Sequence, residues 1–341
     1  MEVLPPSIPR ATLATLPTAL ERGPVLPGGA RLWVKRDDQT GLGAGGNKAR
    51  KLEFLCGEAI ATGADSLVTV GAGQSNHCRM TAAAGAVLGL ETHLVLAGER
   101  PDELYGNQAL AARFGAHLHF TGAHESHWGE LEIAREALLA ELADQGLRPH
   151  GIPIGGSTPV GALGYVVAFA ELIEQCRTAQ VTPRAVVVTS SSGGTHAGLV
   201  AGRAWWRAAT GDAALPEVVA VGVARGVNAG SPDTAELAQG ALRHAGLPGD
   251  VGAGDVELDP RWIGDDYAVP TDAGDDAIHW AARRGGWVLD RTYTGKGLSG
   301  LLGMASEGRW GDGDDVVFVH TGGMPAVFAP GGSPVAARPQ A

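Results

Sequence analysis

Ser66-Leu-Val-Thr-Val70, then Met80 through Leu90, then Thr92-His-Leu-Val-Leu96, is the stretch that sets the architecture. Two short β-branched runs flank an Ala/Leu-rich run of about three helical turns, the order of a strand, a crossover helix and a parallel strand. Downstream, Tyr105–Phe114 reads as helix, His117–Phe120 as extended and Glu130–Gln145 as helix. After a breaker cluster at Gly151–Gly161 come a helix at Gly164–Cys176, a buried strand at Ala185–Thr189 and a helix at Gly198–Ala209. Further units are expected at Glu217–Val223, Ser231–Ala245, Asp272–Arg284, Trp287–Asp290 and Val316–His320. Sustained alternation of this kind predicts an α/β protein with two open parallel-sheet domains and helices on both faces. The breaker cluster marks a crossing between lobes. The Pro330 to Ala341 tail has no core pattern and is expected to be mobile.

The whole chain has 341 residues, enough for about two domains. Apolar residues make up 44% and the formal charge is -11, so the summed field repels nucleic acid and anionic membrane and directs attention to a small-molecule ligand. Cys56, Cys78 and Cys176 form no C-x-x-C pair and are too few for a disulfide framework, which suits a reducing, cytoplasmic setting. The first thirty residues are broken by prolines and sustain no apolar signal segment.

Ligands of open α/β sheets sit where strand ends turn into helix N-termini, because free N–H groups and a positive dipole end meet there. Four such turns are rich in Gly, hydroxyl and amide residues: Gly45–Glu53, Gly71–His77, Ser190–His196 and His320–Gly323. Ser190–Thr195 suits a phosphate cradle or, more plainly, a capped helix start. It lacks the G-x-x-x-x-G-K of a nucleoside-triphosphate loop. The Gly71 loop begins as G-x-G, but Asn76 fills the third glycine position, which disfavours a nicotinamide site. Its Ser75, Asn76 and His77 are three polar side chains where a cap needs one. Lys48 opens a run whose Leu52, Leu55 and Ile60 form a helical apolar stripe. Arg50 and the helix start favour its neutral, nucleophilic form; a solvated lysine is the alternative, with Lys51 and Lys35 as competitors.

Taken together, Lys35-Arg-Asp-Asp38, Gly45-Gly-Asn-Lys-Ala-Arg-Lys-Leu-Glu53, Gln74-Ser-Asn-His77, Ser192-Gly-Gly-Thr-His-Ala-Gly198, Tyr293-Thr-Gly-Lys296 and His320-Thr-Gly-Gly323 resemble the D-cysteine desulfhydrase and 1-aminocyclopropane-1-carboxylate deaminase family, in order, over about residues 5 to 329. The resemblance implies a tryptophan synthase β-like fold and pyridoxal 5'-phosphate as cofactor. It also implies a homodimer, a large cofactor domain from 1–50 plus 161–330, a small domain from 51–160, and 331–341 as a tail. Lys48 would condense with the cofactor aldehyde. Ser191, Ser192, Gly193, Gly194 and Thr195 would hold its phosphate, Asn76 its phenolic oxygen, and Thr321 is a further cofactor contact. Ser75, Asn76, His77, Tyr293 and Thr294 would face the substrate, with Ser75 and Tyr293 taking part in proton transfer.

The deaminase pattern has a Glu after the active-site Tyr, where this sequence has Thr294, and resembles H-L-G-G where Thr321 stands. A hydroxyl cannot keep the ring nitrogen protonated, so the ring stores carbanion charge less well, which suits a substrate with a good β leaving group. His77, where the deaminases have Gln, leans the same way. The expected reaction is Cα deprotonation by Lys48 with β-elimination from a D-amino acid: D-cysteine would give pyruvate, ammonia and hydrogen sulfide. Alternatives are a lyase for L-cysteate or another β-substituted amino acid, the cyclopropane deaminase itself, or a non-catalytic phosphate-ligand binding protein on the same fold. His117-x-His119 and His124-x-x-His127 have no third ligand at matching spacing, so no metal site is expected and they read as surface or core histidines.

Overall fold

The computed structural model describes residues 3–125, 127–224 and 233–330. In it, Ser66–Gly71 forms β3, a strand with every residue buried, as expected for a run covered on both faces. It is flanked in parallel by β4 (Glu91–Leu96) and β6 (Pro149–Ile152), and β5 (His117–Phe120) completes a four-stranded sheet in the order β5-β4-β3-β6. Helices α2 (Asn76–Leu88), α3 (Gly106–Arg113) and α4 (Trp128–Asp144) belong to this part of the chain.

A six-stranded sheet runs in the order β1-β2-β10-β7-β8-β9. Its strands are β1 (Leu20–Val25), β2 (Arg31–Lys35), β7 (Pro183–Ser190), β8 (Glu217–Gly222), β9 (Glu257–Asp259) and β10 (Asp315–Val319). Among the described residues, its β1–β2 pairing alone is antiparallel. The last strand among the described residues, β10, lies between one of the first, β2, and the central β7. The loops that follow β7 and β10 are therefore neighbours at the carboxyl end of the sheet, the usual position of a ligand in this architecture.

Helices α1 (Lys48–Ala61), α5 (Pro159–Thr178), α6 (Gly194–Thr210) and α7 (Thr234–Ala245) share the largest core, with Leu52, Phe54, Leu55, Tyr165, Phe169 and Trp206 all buried. Each such large apolar side chain is worth about 1.5–3 kcal/mol on burial. Helices α8 (Asp272–Gly285) and α9 (Thr294–Ser306) cover the opposite face of the six-stranded sheet around Val187, Val219 and Phe318.

Several expectations are corrected. Ile60 is 48% exposed and leaves the apolar stripe of α1 to Leu52 and Leu55. Trp287–Asp290 forms neither strand nor helix; its backbone leads into the turn that starts α9. Helices α2, α5 and α6 begin about four or five residues earlier than the apolar periodicity predicts, because their first turns are built from polar caps and glycines: Ser75 and Thr158 accept from Cys78 N and Gly161 N. Ser231 and the 331–341 tail lie outside the described residues. No helix among the described residues is long and apolar enough to cross a membrane.

Candidate active site

All four loops singled out in the sequence line one cleft. Its wall includes Lys48, Ser75, Asn76, His77, Ser191, Ser192, Gly193, Gly194, Thr195, Tyr293 and Thr321. Thr294 is not in the wall. It is fully buried, its hydroxyl donates to Asp290 Oδ2 at 2.8 Å, and Asp290 N donates to that hydroxyl at 2.9 Å.

Lys48 is the first residue of α1, held by a loop with little freedom. A Cβ on Gly45, at φ +76°, would stand 1.9 Å from Asp38 O, so only glycine fits there. Arg79 of α2 latches the same loop through Gly43 O and Gly45 O. The adjacent Asn47 ties two other loops to it: its N–H donates to Thr321 O at 3.0 Å, and its carboxamide donates to Thr195 Oγ1 at 2.9 Å. Burial pushes the Lys48 ammonium down to about 8, toward the free amine.

The loop between β7 and α6 has the features of an anion cradle. Gly193 adopts φ +80°, and a Cβ on Gly194 would lie 2.4 Å from Lys51 Nζ and 2.7 Å from Ser157 Oγ. The first N–H groups of α6 point out of the helix here. Beneath the loop, fully buried Lys51 donates to Gly155 O at 2.6 Å and Ser157 Oγ at 3.2 Å, and Ser157 in turn donates to Ser192 Oγ at 2.8 Å. These partners are neutral. Burial, reinforced by Lys48, holds the Lys51 ammonium well below its ordinary range, so an anion on the cradle would relieve it.

On the other side, Ser75 caps α2 by accepting from Cys78 N at 3.1 Å. Asn107, a buried side chain that the sequence reading missed, donates to Asn76 Oδ1 at 3.0 Å. This fixes the Asn76 carboxamide with its NH2 group free to donate. His77 Nε2 meets Thr69 Oγ1 at 2.8 Å, and burial with the two nearby lysines keeps the ring neutral. Tyr293 shares a short hydroxyl–hydroxyl hydrogen bond with Tyr267, which packs edge-on against Trp128 with centroids 4.9 Å apart. Burial raises both phenols, so both are protonated at neutral pH. Asp290 accepts from the N–H groups of Thr292, Tyr293 and Thr294 as well as the Thr294 hydroxyl, while burial pushes its carboxyl up. Tyr267, Trp128 and Asn107 carried no local motif. Asp290 had one, a carboxylate just ahead of the Tyr293-Thr294 helix start.

A family model described as pyridoxal-phosphate dependent enzyme matches residues 11–322. A D-cysteine desulfhydrase of Salmonella typhi is 39% identical over 332 residues, spanning 94% of this chain and 96% of the relative. The crystal structure of an ACC deaminase homologue superposes with a TM-score of 0.83 at 35% identity, over 95% of both chains. A threonine deaminase from T.th., at 22% identity and a TM-score of 0.58 over 90% of this chain and 92% of its own, shares the fold. The cleft fits the cofactor that the family model names. It offers an amine with lowered basicity, and a glycine cradle, closed to any larger residue at Gly194, over a buried lysine whose hydrogen-bond partners are neutral. The chain is an enzyme that works with pyridoxal phosphate on a tryptophan synthase β-like fold, and it belongs to the family of pyridoxal-phosphate dependent enzymes.

Proposed function

We propose that the enzyme converts D-cysteine and water to pyruvate, ammonia and hydrogen sulfide by β-elimination. The observation that carries the reading is Lys48, a desolvated amine in the cleft wall with its basicity lowered to about 8, facing a cleft that also holds the protonated Tyr293–Tyr267 pair. The choice within the family is supported by the similarity to relatives named D-cysteine desulfhydrase and by Thr294. Its hydroxyl is committed to Asp290, and the lone pairs of Asp290 are taken by protein donors, so neither offers a free carboxylate to a ring nitrogen.

Pyridoxal phosphate, when bound, supplies an aldehyde that captures the substrate amine and a ring that stores the electrons released at Cα. Gly193, Gly194, Ser191, Ser192 and Thr195 would hold its phosphate with Lys51 beneath them. Asn76, oriented by Asn107, would donate to its phenolic oxygen, and Thr321 would stand beside the ring. Lys48 takes the Cα proton of the substrate. Ser75 and the free N–H groups at the start of α2 hold the substrate carboxylate, with His77 lining the cleft beside them. The hydroxyl of Tyr293, backed by Tyr267, gives a proton to the departing sulfur as the Cβ–S bond breaks, and hydrolysis completes the route to pyruvate and ammonia.

The test is a panel of D-cysteine, L-cysteine, L-cysteate and 1-aminocyclopropane-1-carboxylate, scored for keto acid and leaving group. Sulfide and pyruvate from D-cysteine, with kcat/KM at least about tenfold above the rest, are expected for a site that reads both configuration and leaving group. Sulfite from cysteate or 2-oxobutanoate from the cyclopropane acid as the preferred outcome would overturn the assignment. We expect the active form to be a homodimer.

A further inference from the structure

The outer part of the four-stranded sheet carries a cluster that this reaction does not use. On the parallel pair β4–β5, His93 stands directly opposite His117. Strand alternation places Glu91, two residues before His93, and His119, two residues after His117, on the same face. The rings of His93 and His117 stack with centroids 4.7 Å apart, and Glu91 Oε1 lies 3.1 Å from Nε2 of each. Ligand atoms of Glu91, His93 and His117 all lie within 4.8 Å of one another.

The hydrogen bonding of His93 points to a cation. Its side chain is 6% exposed; Nδ1 is 3.2 Å from His119 Nε2, whereas Nε2 makes no aligned hydrogen bond although the Glu91 carboxylate is beside it. In the tautomer whose Nδ1 donates to His119, Nε2 presents a bare lone pair toward Glu91. Two acceptors 3.1 Å apart repel unless a positive charge lies between them. Histidine ligands of metals show this pattern, with the second ring nitrogen donating to an outer partner that fixes the tautomer.

We propose that Glu91, His93 and His117 bind one divalent cation of the zinc class, with His119 holding His93 in the ligating tautomer. Bonds of about 2.0–2.2 Å in a tetrahedron set ligand atoms roughly 3.3 Å apart, close to the two 3.1 Å edges already present. Imidazole-rich donors favour zinc, nickel or copper over magnesium or calcium. His117 is 55% exposed on the edge strand, free to turn its ring toward a shared ion, and three protein ligands leave a fourth position for water. The sequence concealed this site because its ligands come from two strands, 24 or more residues apart across the β4–β5 crossover. Bound there, the ion would fasten edge strand β5 to β4.

The experiment titrates zinc chloride into chelator-stripped holoenzyme in competition with a chromophoric chelator. One zinc per chain is expected. His117→Ala and Glu91→Gln, both at exposed side chains, should each weaken binding at least tenfold, whereas His127→Ala, in the separate histidine pair near α4, should leave it unchanged. Zinc should raise the Tm of the parent enzyme and not that of His117→Ala, and magnesium chloride should do neither. Absence of stoichiometric zinc, or binding that survives both His117→Ala and Glu91→Gln, would overturn the proposal without touching the lyase assignment.

Discussion

One turn of α1 holds two opposite treatments of positive charge. Arg50 is saturated: its guanidinium donates to both oxygens of Asp37 at 2.9 Å and to Glu171 at 2.8 and 3.0 Å, and Tyr165 donates to Asp37 at 2.5 Å. Lys35 joins the same network through Glu171 and Gln175. Lys48 and Lys51, two residues before and one after, face the cleft side. Lys51 meets only neutral oxygens, and burial lowers both amines. A buried charge that is paired on all sides is inert and holds α1 to α5 and β2. A buried amine without an acid beside it is either a nucleophile or a socket for an anion.

The contrast is broken most directly by exchanging effects. Lys48→Ala should cut pyruvate formation by about 10⁴-fold, the upper range for losing a positioned general base, and remove the absorbance band of the bound cofactor. Its unfolding free energy should stay within about 1 kcal/mol of the parent, since no ion pair is lost. Asp37→Ala should do the reverse. It strands Arg50 in the core with half its partners, at a cost of about 3–5 kcal/mol in urea unfolding, while the surviving folded enzyme keeps most of its kcat. A Lys48→Ala protein that unfolds early, or an Asp37→Ala protein that is stable and inactive, would erase the distinction.

The two halves of this contrast were unequally legible in the sequence. Lys48, Ser75, Asn76, His77 and the Ser190–Thr195 loop announce themselves because each loop sits between a strand and a helix, and because the glycines there answer to local geometry. The central strands β3, β4, β7 and β10 were readable from β-branched runs that are buried throughout most of their length. Strands β1 and β2 were not, since charged residues and Pro24 break their pattern, and neither was α9. In that helix Gly297 and Gly303 make room for Thr189 and Trp262, so packing overrides a composition that reads as loop. Tyr267, Trp128 and Asn107 reach the site from segments without a motif. The resemblance puts Thr294 in the cleft, yet an Asp290-centred turn directs its hydroxyl inward.

Lys51→Met sharpens the anion-socket half. Methionine approximates the lysine stem without its nitrogen; relief of the desolvated amine offsets the lost hydrogen bonds to Gly155 O and Ser157 Oγ, so the cofactor-free fold should stay within about 1 kcal/mol of the parent. Cofactor affinity should fall about 10- to 100-fold, the worth of one charge-assisted hydrogen bond to a phosphate. Equilibrium dialysis with pyridoxal phosphate, beside a binding control with unphosphorylated pyridoxal, separates the phosphate contribution. An equal loss for both ligands would place Lys51 outside the cradle.

The smallest effect bears on Lys48 alone. The neutral amine is the species that condenses with an aldehyde, and its fraction is half at the pKa. With burial holding Lys48 near 8, the rate at which cofactor-free protein takes up pyridoxal phosphate should rise about tenfold per pH unit below 8 and level off above it. A lysine at the ordinary value would be only about 0.3% neutral at pH 8 and would keep gaining rate beyond pH 10. Dividing by the rate of a free lysine derivative in the same buffers removes the cofactor's own titration. Lys51→Met should keep the midpoint near 8, because the lowering of Lys48 comes from burial; a midpoint that climbs toward 10 in that variant would assign the depression to repulsion from Lys51 instead.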